Sequence, residues 1–333
     1  MSTSRSNVDT GQPLTNLEQA RRSPVTFRRA SLWRQARMSF VRHWQLYLMM
    51  VPGLLYFIVF KYVPIVNAVI AFKDYRVTLG IWGSPWVGFK HFLLFLENPV
   101  FETLLKNTLG LSLYALIVSF PIPIILALCL NEIRDGLFKR TVQFVTYAPF
   151  FISTVIMVSM IIQLLSPRLG IVNTGLEAMG FRPVNFLGEP KLFSSIYVWS
   201  GVWQNSGYAA IVYLAALSGI DPQLYEAAKI DGASRLQKIL YIDLPGITPV
   251  IVILLILSVG NLLAIGFEKV FLLQNPLNLA TSEVIATYVY KIGLLNANFS
   301  FATAVGLFNS VINMILLVLV NSFAKRFSEA SLW

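Results

Sequence analysis

The sequence has 333 residues, of which 56% are hydrophobic and only 13% are charged, whereas a soluble domain carries about 25% charged residues. One cysteine, Cys129, and two histidines, His43 and His91, exclude an internal disulfide and make a metal centre or a catalytic histidine cluster improbable. The net charge is +10, but eight of the 26 Lys and Arg residues precede residue 43, which indicates a basic arm rather than a nucleic-acid-binding face.

The chain begins with this basic arm, residues 1–42. Residues 27–44 mix Arg with Phe, Trp, Met and Val, and two interpretations stay open for them. One is a basic amphipathic helix lying on the anionic inner leaflet, and the other is a disordered basic tail. The first apolar run starts too late and is too long for a signal peptide, so we interpret it as a retained membrane span.

Six long apolar stretches follow, and a spanning helix needs about 20 mostly apolar residues. They cover residues 46–72, 107–131, 141–167, 192–220, 244–267 and 292–324, and the helix in the last stretch is expected to start near Phe301. We therefore predict an all-α membrane protein with six transmembrane helices over residues 43–325 and a short tail, residues 326–333.

The positive charges predict how the chain is oriented in the membrane. If the N-terminus is inside, the inner segments hold sixteen Lys and Arg residues and the outer segments hold ten. Cytoplasmic loops carry an excess of Lys and Arg, so we predict a multi-pass membrane protein with both termini in the cytoplasm.

The predicted spans lack the groups that most self-powered transporters use. The cores of spans two to six contain no charged residue, which disfavours an ion-coupled carrier and an intramembrane hydrolase. The segment Gly83–Lys90 has the wrong spacing for a phosphate-binding loop. We expect no enzyme activity, and a secondary carrier or channel for small polar solutes stays the alternative function.

A charged insert, residues 221–245, separates the fourth and fifth spans. Asp221 is a good N-cap and proline is favoured at the first helical position, which predicts a helix over Pro222–Ile230 that ends at Gly232. Ser234 predicts the start of a second helix from Arg235 to about Tyr241, which Pro245 is expected to stop before the next span.

The insert also carries a family resemblance. Glu226-Ala227-Ala228, Gly232 and Ile242-x-Leu244-Pro245 resemble, at full spacing, the EAA motif of bacterial ABC importer permeases. Residues 43–65, 71–92 and 272–295 are similar to the branch that handles oligosaccharides and polysaccharide fragments, including the alginate importer permeases. The resemblance implies a protein of the bacterial inner membrane with a type I ABC importer permease fold, whose coupling helix contacts the ATPase. The residues that it assigns to this coupling are Glu226, Ala227, Ala228, Asp231, Gly232, Leu244 and Pro245.

The same resemblance implies the partners. They are a second permease subunit, two ATPase subunits, a periplasmic solute-binding protein, membrane lipid and a saccharide substrate. The two permeases are expected to form a heterodimer, and a homodimer stays the alternative. ATP and Mg would be bound by the ATPase subunits, so this chain would hold no cofactor of its own.

A saccharide is bound by aromatic stacking and neutral hydrogen bonds, so aromatic and amide side chains within the spans are the candidates for its site. The candidates for substrate binding are Trp203, Asn205, Tyr208 and Asn261, although aromatic residues also anchor helices at membrane interfaces and Asn residues join helices. Five bases near the outer ends, which we expect to contact lipid headgroups rather than to attract substrate, are Lys61, Arg168, Lys191, Lys269 and Lys291.

Overall fold

The computed structural model describes residues 40–327. Within that range the chain is helical, and a single isolated β-bridge joins Lys73 to Trp86. Nearly all of the predicted arm and most of the predicted tail lie outside the described residues. The two interpretations of residues 27–44, and the division into arm, permease domain and tail, therefore stay predictions.

The α-helices of the described range are numbered α1 to α17 in chain order. They cover Trp44–Phe57, Val63–Asn67, Gly80–Gly83, Lys90–Leu96, Phe101–Ser119, Pro121–Glu132, Leu137–Tyr147, Thr154–Leu164, Ile171–Ala178, Phe193–Ser218, Pro222–Ile230, Arg235–Lys238, Leu244–Gly260, Phe267–Leu273, Leu279–Ser282, Ile285–Tyr290 and Phe299–Phe327. Short 3-10 helices occupy Ala68–Phe72, Ala148–Phe151 and Pro190–Leu192, and π-helical segments occupy Ile58–Tyr62, Ile239–Asp243 and Lys291–Leu295.

The chain divides into two compact units, Met1–Ile65 and Val66–Trp333. In the described part of the first unit, α1 contains no buried residue although almost all of its side chains are apolar. A helix that is apolar all round is typical of a membrane span. The helices that line the cavities described below belong to the second unit.

Four helical stretches of the described range are long and apolar enough to cross a membrane: Trp44–Phe72, Phe101–Glu132, Arg235–Gly260 and Phe299–Phe323. A fifth results if the bent pair of Leu137–Phe151 and Thr154–Leu164 counts as one span. The remaining predicted span, residues 192–220, forms α10. This helix has 26 residues, or ~39 Å at the rise of an α-helix, but Trp, Tyr, Ser, Gln and Asn residues interrupt its apolar run.

The third predicted span is not one continuous helix. Its two parts meet at an angle of 101°. Pro149 lies in the 3-10 helix between them, where its ring and missing N–H oppose a continuous α-helix. Ser153 then begins α8, and its hydroxyl accepts a hydrogen bond from the amide of Ile156 at 3.4 Å.

Helix α10 contributes to two buried clusters. One joins Val198 and Val202 to Leu111 of α5 and Met157 of α8, and the other joins Ala210 and Tyr213 to Ile124 of α6 and Ile247 of α13. At Gly207 the backbone of α10 lies directly against α7. A Cβ at this position would be only 2.0 Å from the carbonyl oxygen of Thr146. Any larger residue at 207 would separate these two helices.

The prediction that Pro245 stops a helix is wrong. The stretch Arg235–Gly260 is helical throughout, and the π-helical segment Ile239–Asp243 leads into α13. Pro245 lies in the first turn of α13, next to a π-helical turn whose hydrogen-bond register differs from that of the α-helix, so its missing N–H is tolerated. The same helix ends at Gly260 rather than near Phe267, and the last helix starts at Phe299, two residues before the predicted start.

Candidate functional site

The predicted helix Pro222–Ile230 is confirmed as α11, and its own residues hold its ends. A carboxylate oxygen of Asp221 accepts a hydrogen bond from the amide of Gln223 at 2.9 Å. Gly232 adopts a φ of 72°, which favours glycine and ends the helix. Ser234 and Gln237 form a reciprocal capping box that starts α12.

The surface of α11 is not covered by the rest of the described chain. None of its residues is buried, and Ile230 is 87% exposed. Two large apolar side chains after it, Leu236 and Tyr241, are exposed as well. The residues that we predicted for ATPase coupling are placed as follows: Glu226, Ala227, Asp231, Gly232 and Pro245 are exposed, and Ala228 and Leu244 are half-buried.

One hydrogen bond joins α11 to the start of the next span. The hydroxyl of Tyr225 donates to Oδ1 of Asp243, and Asp243 is fully buried. Oδ2 of Asp243 has no hydrogen-bond partner among the described residues. Burial, and then the hydrogen bond to Asp243, raise the pKa of Tyr225. Sequence reasoning missed this pair, although an acid at the entrance to an apolar helix was a signal that could have drawn attention to it.

Two cavities lie beside α10. The first, about 440 Å³, is lined by α5, α10 and α13 and includes Asn261. The second, about 560 Å³, includes Asn205 and Lys269. Tyr197 and Gly266 contribute to the walls of both. Within residues 40–327, no group of three or more His, Cys, Asp or Glu side chains could hold a metal ion.

The four residues predicted to bind substrate do not all meet. The amides of Asn205 and Asn261 line different cavities and donate to the carbonyl oxygens of Gly201 and Leu257, each at 2.9 Å. Tyr208 is 45% exposed and stacks on Phe150, a wall residue of the second cavity, with 3.8 Å between ring centroids. Trp203 is exposed and lines neither cavity. It shares a helix face with Trp199, four residues earlier. These assignments stay predictions.

Lys269 corrects an expectation, since it is not available to lipid headgroups. Its side chain is buried, and Nζ donates to the carbonyl oxygen of Tyr197 at 2.6 Å. Nζ also lies 4.6 Å from the centre of the Tyr197 ring. Helix α14 lies outside the apolar spans, and burial lowers the pKa of Lys269 to about 8. Lys291 likewise pairs with Glu283, at 2.7 Å.

Comparison with known proteins identifies the class to which this architecture belongs. Residues 119–329 match the family model described as the binding-protein-dependent transport system inner membrane component. The chain belongs to this family. The segment 221–245 lies inside the matched range, so the resemblance found in the EAA motif is confirmed for this permease.

Curated relatives resemble the permease over most of its length. The polygalacturonan/rhamnogalacturonan transport system permease protein of Bacillus subtilis is 48% identical over 288 residues, which are 86% of this chain and 90% of that protein. The arabinooligosaccharides transport system permease protein of the same organism is 30% identical over 287 residues, covering 85% and 88% of the two chains.

Solved structures give the same result for the fold. A chain of a bacterial ABC transporter involved in the import of the acidic polysaccharide alginate matches with a TM-score of 0.82 and 39% identity, covering 88% of the permease and 99% of that chain. A chain from the complex of that type of transporter with an alginate pentasaccharide-bound periplasmic protein also gives 0.82, at 38% identity, covering 90% and 99%. The predicted type I ABC importer permease fold is confirmed.

Proposed function

We propose that this permease is one membrane subunit of an ATP-driven importer of oligosaccharides or polysaccharide fragments in the bacterial inner membrane. The substrates named for its relatives, which are polygalacturonan/rhamnogalacturonan, arabinooligosaccharides and alginate, support a saccharide cargo. The solved complex of a similar transporter with a loaded periplasmic protein supports delivery by a binding protein. Both termini face the cytoplasm in this arrangement.

The observation that carries the proposal is the exposed helix α11. It has no buried residue, and apolar side chains such as Leu224 and Ile230 point away from this chain. A helix of nine residues is too short to be stable alone in water, and exposed apolar patches mark contact sites. We assign this surface to an ATPase subunit, with Glu226 at the contact.

The chain order links this contact to the cavities. Helix α10 ends at Ser218, α11 begins at Pro222, and the stretch Arg235–Gly260 follows. Asn205 lies thirteen residues before Ser218, the last residue of α10, or ~20 Å along the helix. A displacement of α11 would therefore move both α10 and α13, whose side chains line the cavities.

In the proposed cycle, two ATPase subunits bind ATP and Mg, close together, and push the coupling helices of two permease subunits toward each other. The second permease is a related chain in a heterodimer. The resulting rigid-body movement opens the cavities to the periplasm. This chain holds neither nucleotide nor cofactor, and its role is to convert the movement of α11 into access for the saccharide.

The test uses the assembled transporter in proteoliposomes, with its binding protein and the ATPase subunits. Glu226→Lys should reduce ATP-driven uptake of oligosaccharide to background and weaken co-purification of the ATPase, because it reverses the charge at the contact. Asp135→Lys is the matched control, since Asp135 is an exposed acid of the loop between α6 and α7, predicted on the same side of the membrane.

Two outcomes would contradict the proposal. If the Glu226→Lys variant takes up saccharide at the rate of the Asp135→Lys variant, α11 is not the ATPase contact. Accumulation of saccharide by vesicles that contain this permease without any ATPase would instead favour a self-contained carrier.

A further inference from the structure

The second cavity has a positively charged side chain in its wall. Lys269 is only 9% exposed, yet it lines the cavity together with Asn205 and Gln204. Its Nζ contacts α10, where it lies 3.0 Å from the position that a Cβ on Gly201 would occupy. The carbonyl oxygen of Gly201 accepts the amide hydrogen bond of Asn205, so the ammonium group and the Asn205 amide both lie next to Gly201.

This ammonium group has no counter-ion in the described chain. No carboxylate of residues 40–327 lies within ion-pair distance of Nζ, and its partners are the carbonyl oxygen and the ring of Tyr197. A buried charge without an opposite charge is costly and is retained mainly where it has a function. The ammonium group of Lys269 is nevertheless retained, and it lies at a cavity wall. This position indicates that its counter-ion is an anion from outside the chain.

The helices packed against Lys269 supply no opposite charge. Helix α14 packs against α8, α10 and α16, and none of these three helices contains an acid or a base. Their titratable side chains are all tyrosines: Tyr197, Tyr208, Tyr213, Tyr288 and Tyr290. On α14 itself, the neighbouring Glu268 is exposed and lines the same cavity, but it is not paired with Lys269.

We propose that Lys269 makes the second cavity selective for acidic saccharides, by forming an ion pair with the carboxylate of a uronic acid unit. The Asn205 amide, which has a second N–H, supplies a neutral hydrogen bond beside it. At about 560 Å³ the cavity is within the ~300–1,000 Å³ range of small-molecule sites. This inference rests on the proposed function, of which it specifies the substrate class.

The test measures initial uptake by the complete transporter with its binding protein in proteoliposomes. The probes are the acidic tetramers of galacturonate and mannuronate and the neutral tetramers of galactose and arabinose. Loss of a charge-assisted hydrogen bond lowers binding by about tenfold or more, so Lys269→Met should lose acidic uptake by that factor. Lys269→Arg, which keeps the charge, should keep most of it.

A pH series separates the charge from a purely structural role. Because the pKa of Lys269 is about 8, the ammonium form is present at pH 7 and is lost as the pH rises toward 9. Acidic uptake by the wild type should therefore fall across this interval. The Lys269→Arg variant should not show this fall, because a guanidinium group stays protonated. Co-purification of the ATPase and the binding-protein-stimulated ATPase rate verify that each variant is assembled.

The outcomes are distinct. Acidic uptake that is lost in Lys269→Met and retained in Lys269→Arg supports the inference. Equal acidic uptake by wild type and Lys269→Met, or equal loss in both assembled variants, overturns the role of the charge. Uptake of neutral tetramers alone overturns the acidic class and leaves the proposed function intact, whereas ATP-dependent uptake of none of the four probes contradicts the proposed function itself.

Discussion

The segment that we propose couples to the ATPase, residues 221–245 (the coupling segment), and the second cavity are held together in opposite ways. In α11 and α12, side chains cap the backbone of residues two or three positions away, as Asp221 does for Gln223 and Ser234 for Gln237. At the cavity, Lys269 bonds to a carbonyl 72 residues earlier and Gln204 to one 52 residues earlier. The first region keeps its shape locally and leaves its surface free for a partner, whereas the second depends on the packing of several helices.

The largest effect is expected from a substitution at Gly232, in the coupling segment. Its φ of 72° is inaccessible to proline, whose ring fixes φ near −65°. Gly232→Pro should therefore abolish ATP-driven uptake while insertion into the membrane persists. Gly232→Asn is the control, because asparagine tolerates positive φ, and should retain most of the uptake. Transport by the proline variant at the wild-type rate would show that the turn is not needed.

A smaller effect is expected where the coupling segment meets the span. Tyr225→Phe removes the hydrogen bond to the buried carboxylate of Asp243, and leaving such a group without its donor costs about 1–3 kcal/mol. We expect a lower midpoint of thermal unfolding and several-fold slower uptake at an unchanged ATPase rate. Tyr225→Phe combined with Asp243→Asn should recover part of the stability, and a double variant less stable than both single variants would contradict the pairing.

The pKa of Tyr225 adds a pH prediction to the same contact. Because that pKa is raised, the hydroxyl stays a proton donor at pH values where an ordinary tyrosine ionises. The Tyr225–Asp243 contribution to stability is present below the ordinary tyrosine pKa of about 10. It should persist between pH 7 and 10 and decline only as the pH rises through the raised value. Wild type and Tyr225→Phe should therefore differ in unfolding midpoint by the same amount at pH 7 and pH 9.

The smallest effects are expected at the neutral side chains beside the cavities. Tyr208→Ala removes the ring that stacks on Phe150, and Asn261→Ala removes an amide from the first cavity. Each should reduce uptake by about two- to tenfold, as for one or two hydrogen bonds or stacking contacts, without loss of assembly. Asn313→Ala is the contrasting variant, since Asn313 accepts from the amide of Leu263 at 3.0 Å. The Asn313→Ala variant should have a lower midpoint of thermal unfolding, and any loss of uptake should follow from that loss of stability.

These differences explain what the sequence could predict. The bounds of α11, its cap and its glycine end were accessible because capping depends on residues a few positions apart. The break in the third span was missed because Pro149 lies inside an apolar run that reads as continuous. The effect of the π-helical turn before Pro245 was missed because its register depends on packing as well as on local residues.

The burial of Lys269 was harder to predict than these helix boundaries. Its position after an apolar stretch is the usual one for a headgroup contact, and only the approach of α14 to Gly201 of α10 shows that it is buried. The orientation of Trp203 could not be predicted either. Its spacing from Trp199 places both side chains on one face of α10, but the sequence does not show that this face points away from the cavities. Residue type alone therefore suggested a sugar site without fixing which side chains share it.

The separation of α14 from the coupling segment has an evolutionary consequence. Lys269 reaches the second cavity from a helix that is not part of the continuous path from α10 through α11 to α13. If both proposals hold, exchange of this one base for a neutral residue would change which saccharide is accepted and would leave the surface proposed for the ATPase contact unchanged.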